Sequence, residues 1–188
     1  MHQQPDKPKS RAYTLIEILI VVAILGISAA MLIPYIGDRG GLEVQAAVRM
    51  VISDLSFAQS DALAHQEYRR VYFYPDSRGY CIIRVTDADF NNAFDPATAD
   101  YITDPLGSGD QAYIVDFTTD DRFAGVAIKT VNIDSGSQFV TFDALGGTVR
   151  TGSIPGVGGT IEVSSGSTVY QIDLAPFTGK LTVANVTP

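Results

Sequence analysis

Cysteine is nearly absent: one residue, Cys81, in a chain of 188. An internal disulfide is therefore excluded, and the fold has to stand on packing even outside the cytoplasm. Cys81 lies in the apolar run GYCIIRV and reads as a small buried hydrophobe rather than a reactive thiol. Histidine is scarce too, with only His65 outside the first twelve residues. There is no H-E-x-x-H, no G-x-S-x-G and no phosphate-binding glycine loop, and Gly156-Val157-Gly158-Gly159 reads as a turn. His65 has no partner at useful spacing and reads as a helix-end residue. These gaps argue against an enzyme. Positive charge is the third shortage, with 13 Lys and Arg against 21 Asp and Glu and a net charge of −8. That balance disfavours a general binder of nucleic acid or of anionic membranes.

The cations that exist are placed unevenly. Residues 1–12 carry Lys7, Lys9 and Arg11 against Asp6, so their loss takes the net charge from −8 to −10. This stretch is polar, contains proline, and shows no hydrophobic pattern, as a leader does. From Tyr13 to Ile33 follows a run whose one strongly polar residue is Glu17, with Thr14 and Ser28 as mild interruptions. About 20 helical residues at 1.5 Å each span the ~30 Å of a bilayer core. Positive charge precedes the run and mixed charge follows it (Asp38, Arg39, Glu43). The positive-inside bias then leaves the N-terminus in the cytoplasm and carries the bulk of the chain across.

Glu17 is the difficulty. A carboxylate in hydrocarbon costs roughly 2.5–3.5 kcal/mol on insertion scales. A secretory signal peptide, with Ser28-Ala29-Ala30 as its cleavage site, has no use for that acid, and neither has a plain signal anchor.

The segment Arg11-Ala12-Tyr13-Thr14-Leu15-Ile16-Glu17-Ile18-Leu19-Ile20-Val21-Val22 resembles the class III signal of type IV pilins and type II secretion pseudopilins. The resemblance implies cleavage by a prepilin peptidase between Ala12 and Tyr13 and N-methylation of Tyr13. Glu17 is then the fifth mature residue, where the family carries its filament-assembly acid. A carboxylate in low dielectric is tolerable beside a cation, and in a filament the N-terminal amine of a neighbouring subunit supplies one. The family usually has Gly before the cut, and Ala12 departs from it, which implies slower processing. Pro34 lies where many members carry a helix-breaking proline, and its ring and missing N–H disturb any helix interior. Gly37-Asp38-Arg39-Gly40-Gly41 reads as a flexible break over 37–41.

The spacing predicts a second helix over 42–66. Val44, Val48, Val51, Leu55, Ala58 and Ala62 recur at steps of four and three, while Gln45, Arg49, Ser53, Ser56 and Ser60 fall opposite. Such a stripe belongs on a sheet. Met50 and Phe57 flank it, as the edge of the core or as contacts to a neighbouring subunit. Residues Asp54 to Ala62 resemble the late helix of H-type minor pseudopilins (the GspH/FimT group), with Gln59 where Arg is usual.

Beyond Arg70 the pattern is of short strands broken by Gly, Asp, Asn and Pro. A hairpin is expected over Val71–Tyr74 and Tyr80–Val85, with further strands at 112–117, 126–133, 139–142, 148–151, 160–164, 169–174 and 180–183. Consecutive short strands mean antiparallel sheets. Phe142 to Gly147 resembles the closing region of H-type pseudopilins, with Pro176 to Lys180 as the final hairpin turn. Residues 87–109 read as a surface loop whose Asp87, Asp89, Asp95, Asp100 and Asp104 are weak calcium candidates, since Ca2+ takes six to eight oxygens. Their spacing is not that of an EF-hand, and no cofactor is otherwise expected.

The expected organisation is therefore α+β with a type IV pilin-like fold. It comprises a leader (1–12), a transmembrane and filament-core helix (13–36), a break (37–41) and a periplasmic domain (42–188) with antiparallel sheets. The resemblance implies an inner-membrane protein with a single pass, no enzyme, acting as a minor pseudopilin in a type II secretion system. Its partners are then other pseudopilins, the prepilin peptidase/methyltransferase and the inner-membrane assembly platform. A minor type IV pilin, including one for DNA uptake, is the alternative. The acidic mature chain and the cation-free Val183 to Pro188 weigh against nucleic acid as a partner.

Overall fold

The structure is a computed structural model that describes the backbone of residues 13–36, 40–152 and 154–187, and their side chains except 31–36 and 40. The chain divides into two compact units, residues 1–39 and 40–188. Within the first, α1 runs Leu15–Ile36. Its apolar side chains point to every side: Leu15, Ile18, Leu19, Val22 and Leu25 are all exposed. A helix that is apolar all round belongs in lipid or in the core of an assembly, not on a water-facing surface.

The second unit opens with α2, Gly40–His65. Gly40 and Gly41 are thus the first residues of a helix rather than part of the break expected at 37–41, whose remaining residues 37–39 lie outside the described ones. The helix stops where Gln66 takes a φ of 56°, which ends the hydrogen-bond ladder. All six stripe residues, Val44 through Ala62, are buried, as is Ala47.

Eleven strands follow among the described residues. They are β1 (Tyr68–Phe73), β2 (Gly79–Val85), β3 (Asp100–Tyr101), β4 (Ile114–Asp116), β5 (Val126–Ile133), β6 (Phe139–Phe142), β7 (Thr148–Arg150), β8 (Ile154–Pro155), β9 (Gly159–Ser165), β10 (Thr168–Leu174) and β11 (Leu181–Asn185). A larger sheet has the order β3-β2-β1-β6-β7-β8, with β4 also pairing with β2, and a four-stranded sheet has the order β11-β10-β9-β5. Every pairing in both sheets is antiparallel. The class is α+β. Sequence periodicity misses β3 and β8 because two residues are too few to show an alternation.

One core joins the α2 stripe to both sheets: Leu55, Phe73, Tyr80, Phe142, Ile161, Val163 and Ile172 all belong to it. Met50 and Phe57 pack at its margin, with Phe57 stacked on Tyr113 at 5.5 Å between centroids. A second cluster on the other face of the larger sheet gathers Tyr74, Cys81, Ile83, Val85, Phe90 and Val149. This explains the unbroken apolar run of β2. Tyr80 and Ile82 serve one core, Cys81 and Ile83 the other, so both faces are covered. Among the described residues both clusters and all strand partners lie within 40–188, so the second unit is a compact body with a core of its own.

The segment expected as a free surface loop over 87–109 is partly structural. Phe90 is buried, Phe94 stacks on Tyr72 at 4.0 Å, and residues 100–101 form β3. Arg70 fastens the loop from below. Its guanidinium donates to the Phe90 carbonyl (2.7 Å) and to Thr141 Oγ1 (2.9 Å) and lies 4.2 Å from the Phe139 ring centroid. Burial lowers the Arg70 pKa to about 10, which leaves it cationic at neutral pH.

Candidate functional site

The candidate site is the start of α1. Tyr13 and Thr14 precede the helix in extended or irregular backbone, and Tyr13 is exposed. Ala12 lies outside the described residues, so the bond expected to be cut has no described geometry. Thr14 caps the helix: its carbonyl accepts from Glu17 N (3.1 Å) and Ile18 N (3.3 Å), and its Oγ1 lies 3.4 Å from Glu17 N. Glu17 therefore sits at the third helical position rather than deep in a span. T-L-I-E is a capping-box sequence, in which the Thr hydroxyl meets the backbone N–H of the acid three residues on. The S/T-x-x-E spacing of Thr14 and Glu17 is the signal of this second role in the sequence. A carboxylate in the first turn is also favoured by the helix dipole, by typically 0.3–1 kcal/mol in exposed settings. Glu17 thus has a local reason to be acidic in addition to any amine it meets in an assembly.

Pro34 lies inside α1, which continues two residues further to Ile36. The helix thus runs to the bound expected for it, residue 36, with Pro34 in its last turn. Proline lacks the N–H that bonds one turn back, so a ladder bond is missing there although the helical path continues. Among the described residues no helix is long and apolar enough to cross a membrane. The described side chains of α1 reach only residue 30, about 24 Å at 1.5 Å per residue.

The acidic candidates do not converge. Asp89 accepts from Thr86 Oγ1 (2.7 Å) and Asn92 Nδ2 (3.1 Å), Asp95 from Ala97 N (2.9 Å), and Asp104 from Leu106 N (2.8 Å). Asp100 pairs with Arg84 at 3.4 Å, and Asp87 is exposed. Four of the five carboxylates serve their own turn or ion pair, and no three metal-ligating acids, histidines or cysteines are grouped among the described residues.

A different set of residues does come together at the end of α2. Gln59 Nε2 donates to the Gly146 carbonyl (2.6 Å) and to the Thr178 carbonyl (2.9 Å). It joins the helix to the two loops that the sequence singled out separately, Phe142–Gly147 and Pro176–Lys180. Two residues on, Asp61 pairs with the buried Arg69 of β1, which also reaches Glu67 at 3.0 Å. Leu63, Leu145 and Phe177 stand exposed around this junction.

Deeper along the same helix, Asp54 is buried and accepts a hydrogen bond from the Tyr80 hydroxyl. Burial raises its pKa, opposed by hydrogen bonds from Tyr80 and Tyr113. Burial likewise raises Tyr80, with the Asp54 charge adding to it. Burial pushes the Cys81 thiol up to about 11, so the lone cysteine stays protonated and unreactive at neutral pH.

Residues 7–33 match the model of the prokaryotic N-terminal methylation motif. That motif indicates a type IV pilin-like protein with a membrane-anchored N-terminus. It implies processing by a prepilin peptidase and assembly into pilus-like filaments. No curated protein and no solved structure matches the chain.

Proposed function

We propose that the chain is a minor pseudopilin of a type II secretion system, a structural subunit that enters a short periplasmic filament driving export of folded proteins. The observation that carries the proposal is Glu17, the one acid in a helix start that is otherwise apolar on every side. In this reading Tyr13 becomes the methylated N-terminus after cleavage behind Ala12. α1 is an inner-membrane anchor before assembly, with the cytoplasm on its N-terminal side. It becomes a filament-core helix afterwards, when Glu17 meets the amine of a neighbouring subunit. Its partners are other pseudopilins and the assembly platform, and no catalytic step, cofactor or calcium ion belongs to it. The pilin-like fold and the membership of the H-type group are parts of the same proposal, supported by an α2 stripe laid across antiparallel sheets.

A minor type IV pilin is the second reading. The acidic charge weighs against its DNA-uptake form, because DNA binding draws its affinity from cationic contacts to phosphate. Residues 40–188 titrated with duplex DNA at low salt are expected to show no binding, and tight binding would move the assignment to DNA uptake.

Two substitutions test the assembly role. Glu17→Leu removes the charge and the polar side chain from the first turn but keeps the backbone N–H that Thr14 caps, whereas Glu17→Gln removes the charge alone and keeps a residue type found at the third position of a capping box. Both are expected to insert in the membrane at least as well as the native chain and to be lost from sheared filament fractions. If Glu17→Gln enters filaments like the native protein, the charge of Glu17 has no part in assembly.

A further inference from the structure

The edges of the two sheets are not alike. On the larger sheet β3 and β8 are two residues long and β4 three, too short to template another strand. On the four-stranded sheet β5 carries a register shift between Ile128 and Thr130, with the exposed Lys129 at it, and its Ile128 N–H is taken by the Ser77 carbonyl at 3.0 Å. A bulge, a lysine and a covering loop are the usual defences of an edge. Among the described residues β11 has none of them. It pairs with β10 in unbroken register over five residues, and residues 181–187 contain no charged side chain.

The register fixes which backbone groups are free. Ala175 N donates to Lys180 O (2.8 Å) and Val186 N to Val169 O (2.9 Å). Hydrogen-bonded pairs alternate along an antiparallel ladder, so Lys180, Thr182, Ala184 and Val186 bond inward to β10. The N–H and C=O groups of Leu181, Val183 and Asn185 point away from the sheet. The side chain of Val183 is left 44% exposed. It lines a groove of about 310 Å³ with Val48, Ile52 and Tyr170, bordered by Gln45 and Arg49.

We propose that this edge pairs with β11 of a second copy of the chain, antiparallel and centred on Val183, joining two four-stranded sheets into one of eight. The free groups are spaced symmetrically about Val183, so Leu181 faces Asn185 of the second copy and the surface is self-complementary, as a two-fold interface requires. Charge favours the same place. Two chains of net charge −8 repel over most of their surface, and this uncharged strand lets them meet backbone to backbone. The inference is independent of entry into a filament.

Sedimentation equilibrium of residues 40–188 tests it. The native domain is expected to show a monomer–dimer equilibrium. Val183→Pro removes an outward N–H that the fold does not use, which an edge strand tolerates. It is expected to weaken the dimer at least about tenfold, or by about 1.4 kcal/mol, with the thermal midpoint unchanged. Asn185→Pro is expected to do the same and serves if the first variant misfolds. Independently, amide exchange in the native domain should show protection at Leu181, Val183 and Asn185 that rises with concentration. A native domain that stays monomeric up to about 1 mM, proline variants that dimerise like the native domain, or concentration-independent exchange at those three amides would each overturn the proposal.

Discussion

Asp54 shows how one residue can run against its surroundings and still belong there. It falls in the apolar stripe of α2, between Val51 and Leu55, with a tyrosine hydroxyl bonded to its carboxylate. Burial raises its pKa, so the folded state holds this proton more tightly than the unfolded chain does. The stability it contributes is complete below the unfolded value of about 3.9 and is lost as the pH rises through the higher folded value. Asp54→Asn, which keeps an acceptor for Tyr80 without the charge, is therefore expected to stabilise residues 40–188 at neutral pH. At strongly acid pH it should leave them close to native. Urea unfolding across that pH range measures it. Tyr80→Phe should act oppositely at neutral pH, costing about 1–3 kcal/mol by leaving a buried carboxylate short of a donor. Neither behaviour was legible in the sequence. Asp54 matched a family-like string, but its inward direction follows from Tyr80, twenty-six residues away on β2.

At the scale of elements, α2 was the most legible part. Its stripe is local, and a 3.6-residue period needs no knowledge of the partner sheet. Strands β5 and β6 were equally clear, since Gly, Asp and Ser punctuate both ends. What the sequence could not give is the meeting of distant segments. Gln59 stood out in the sequence only through a resemblance, and only the structure shows it donating to two carbonyls on separate loops. Gln59→Ala is expected to destabilise residues 40–188 by about 1–3 kcal/mol, while Gln59→Arg should retain most of the stability, because a guanidinium also donates to carbonyls. The same junction explains Gly179, which has a φ of 65°. A Cβ there would stand 2.9 Å from the Phe142 ring and 3.2 Å from Thr148. Gly179→Ala should cost more than about 1 kcal/mol, seen as a lower urea midpoint. Pro34 is a local case: it removes one ladder bond near the end of α1, and the helix runs on to Ile36.

For the whole molecule, the division at residues 39 and 40 separates two chemistries. The described side chains of the first unit, those of α1, are apolar on nearly every side and, among the described residues, close around no core of their own. The second is acidic, closed around its own core, and built on antiparallel sheets. A helix of the first kind needs either lipid or many copies of itself, and a motif for cleavage and methylation lies across its start. In the proposed function the helix is delivered to the membrane with a leader and then released for assembly with Tyr13 as its first residue. Mass spectrometry of the N-terminal peptide from the membrane-extracted native protein reads this directly. The expected peptide begins at Tyr13 and is heavier by one methyl group on its amine. A peptide beginning at Met1, or one cut behind Ala30 as for an ordinary secretory signal, would contradict the account.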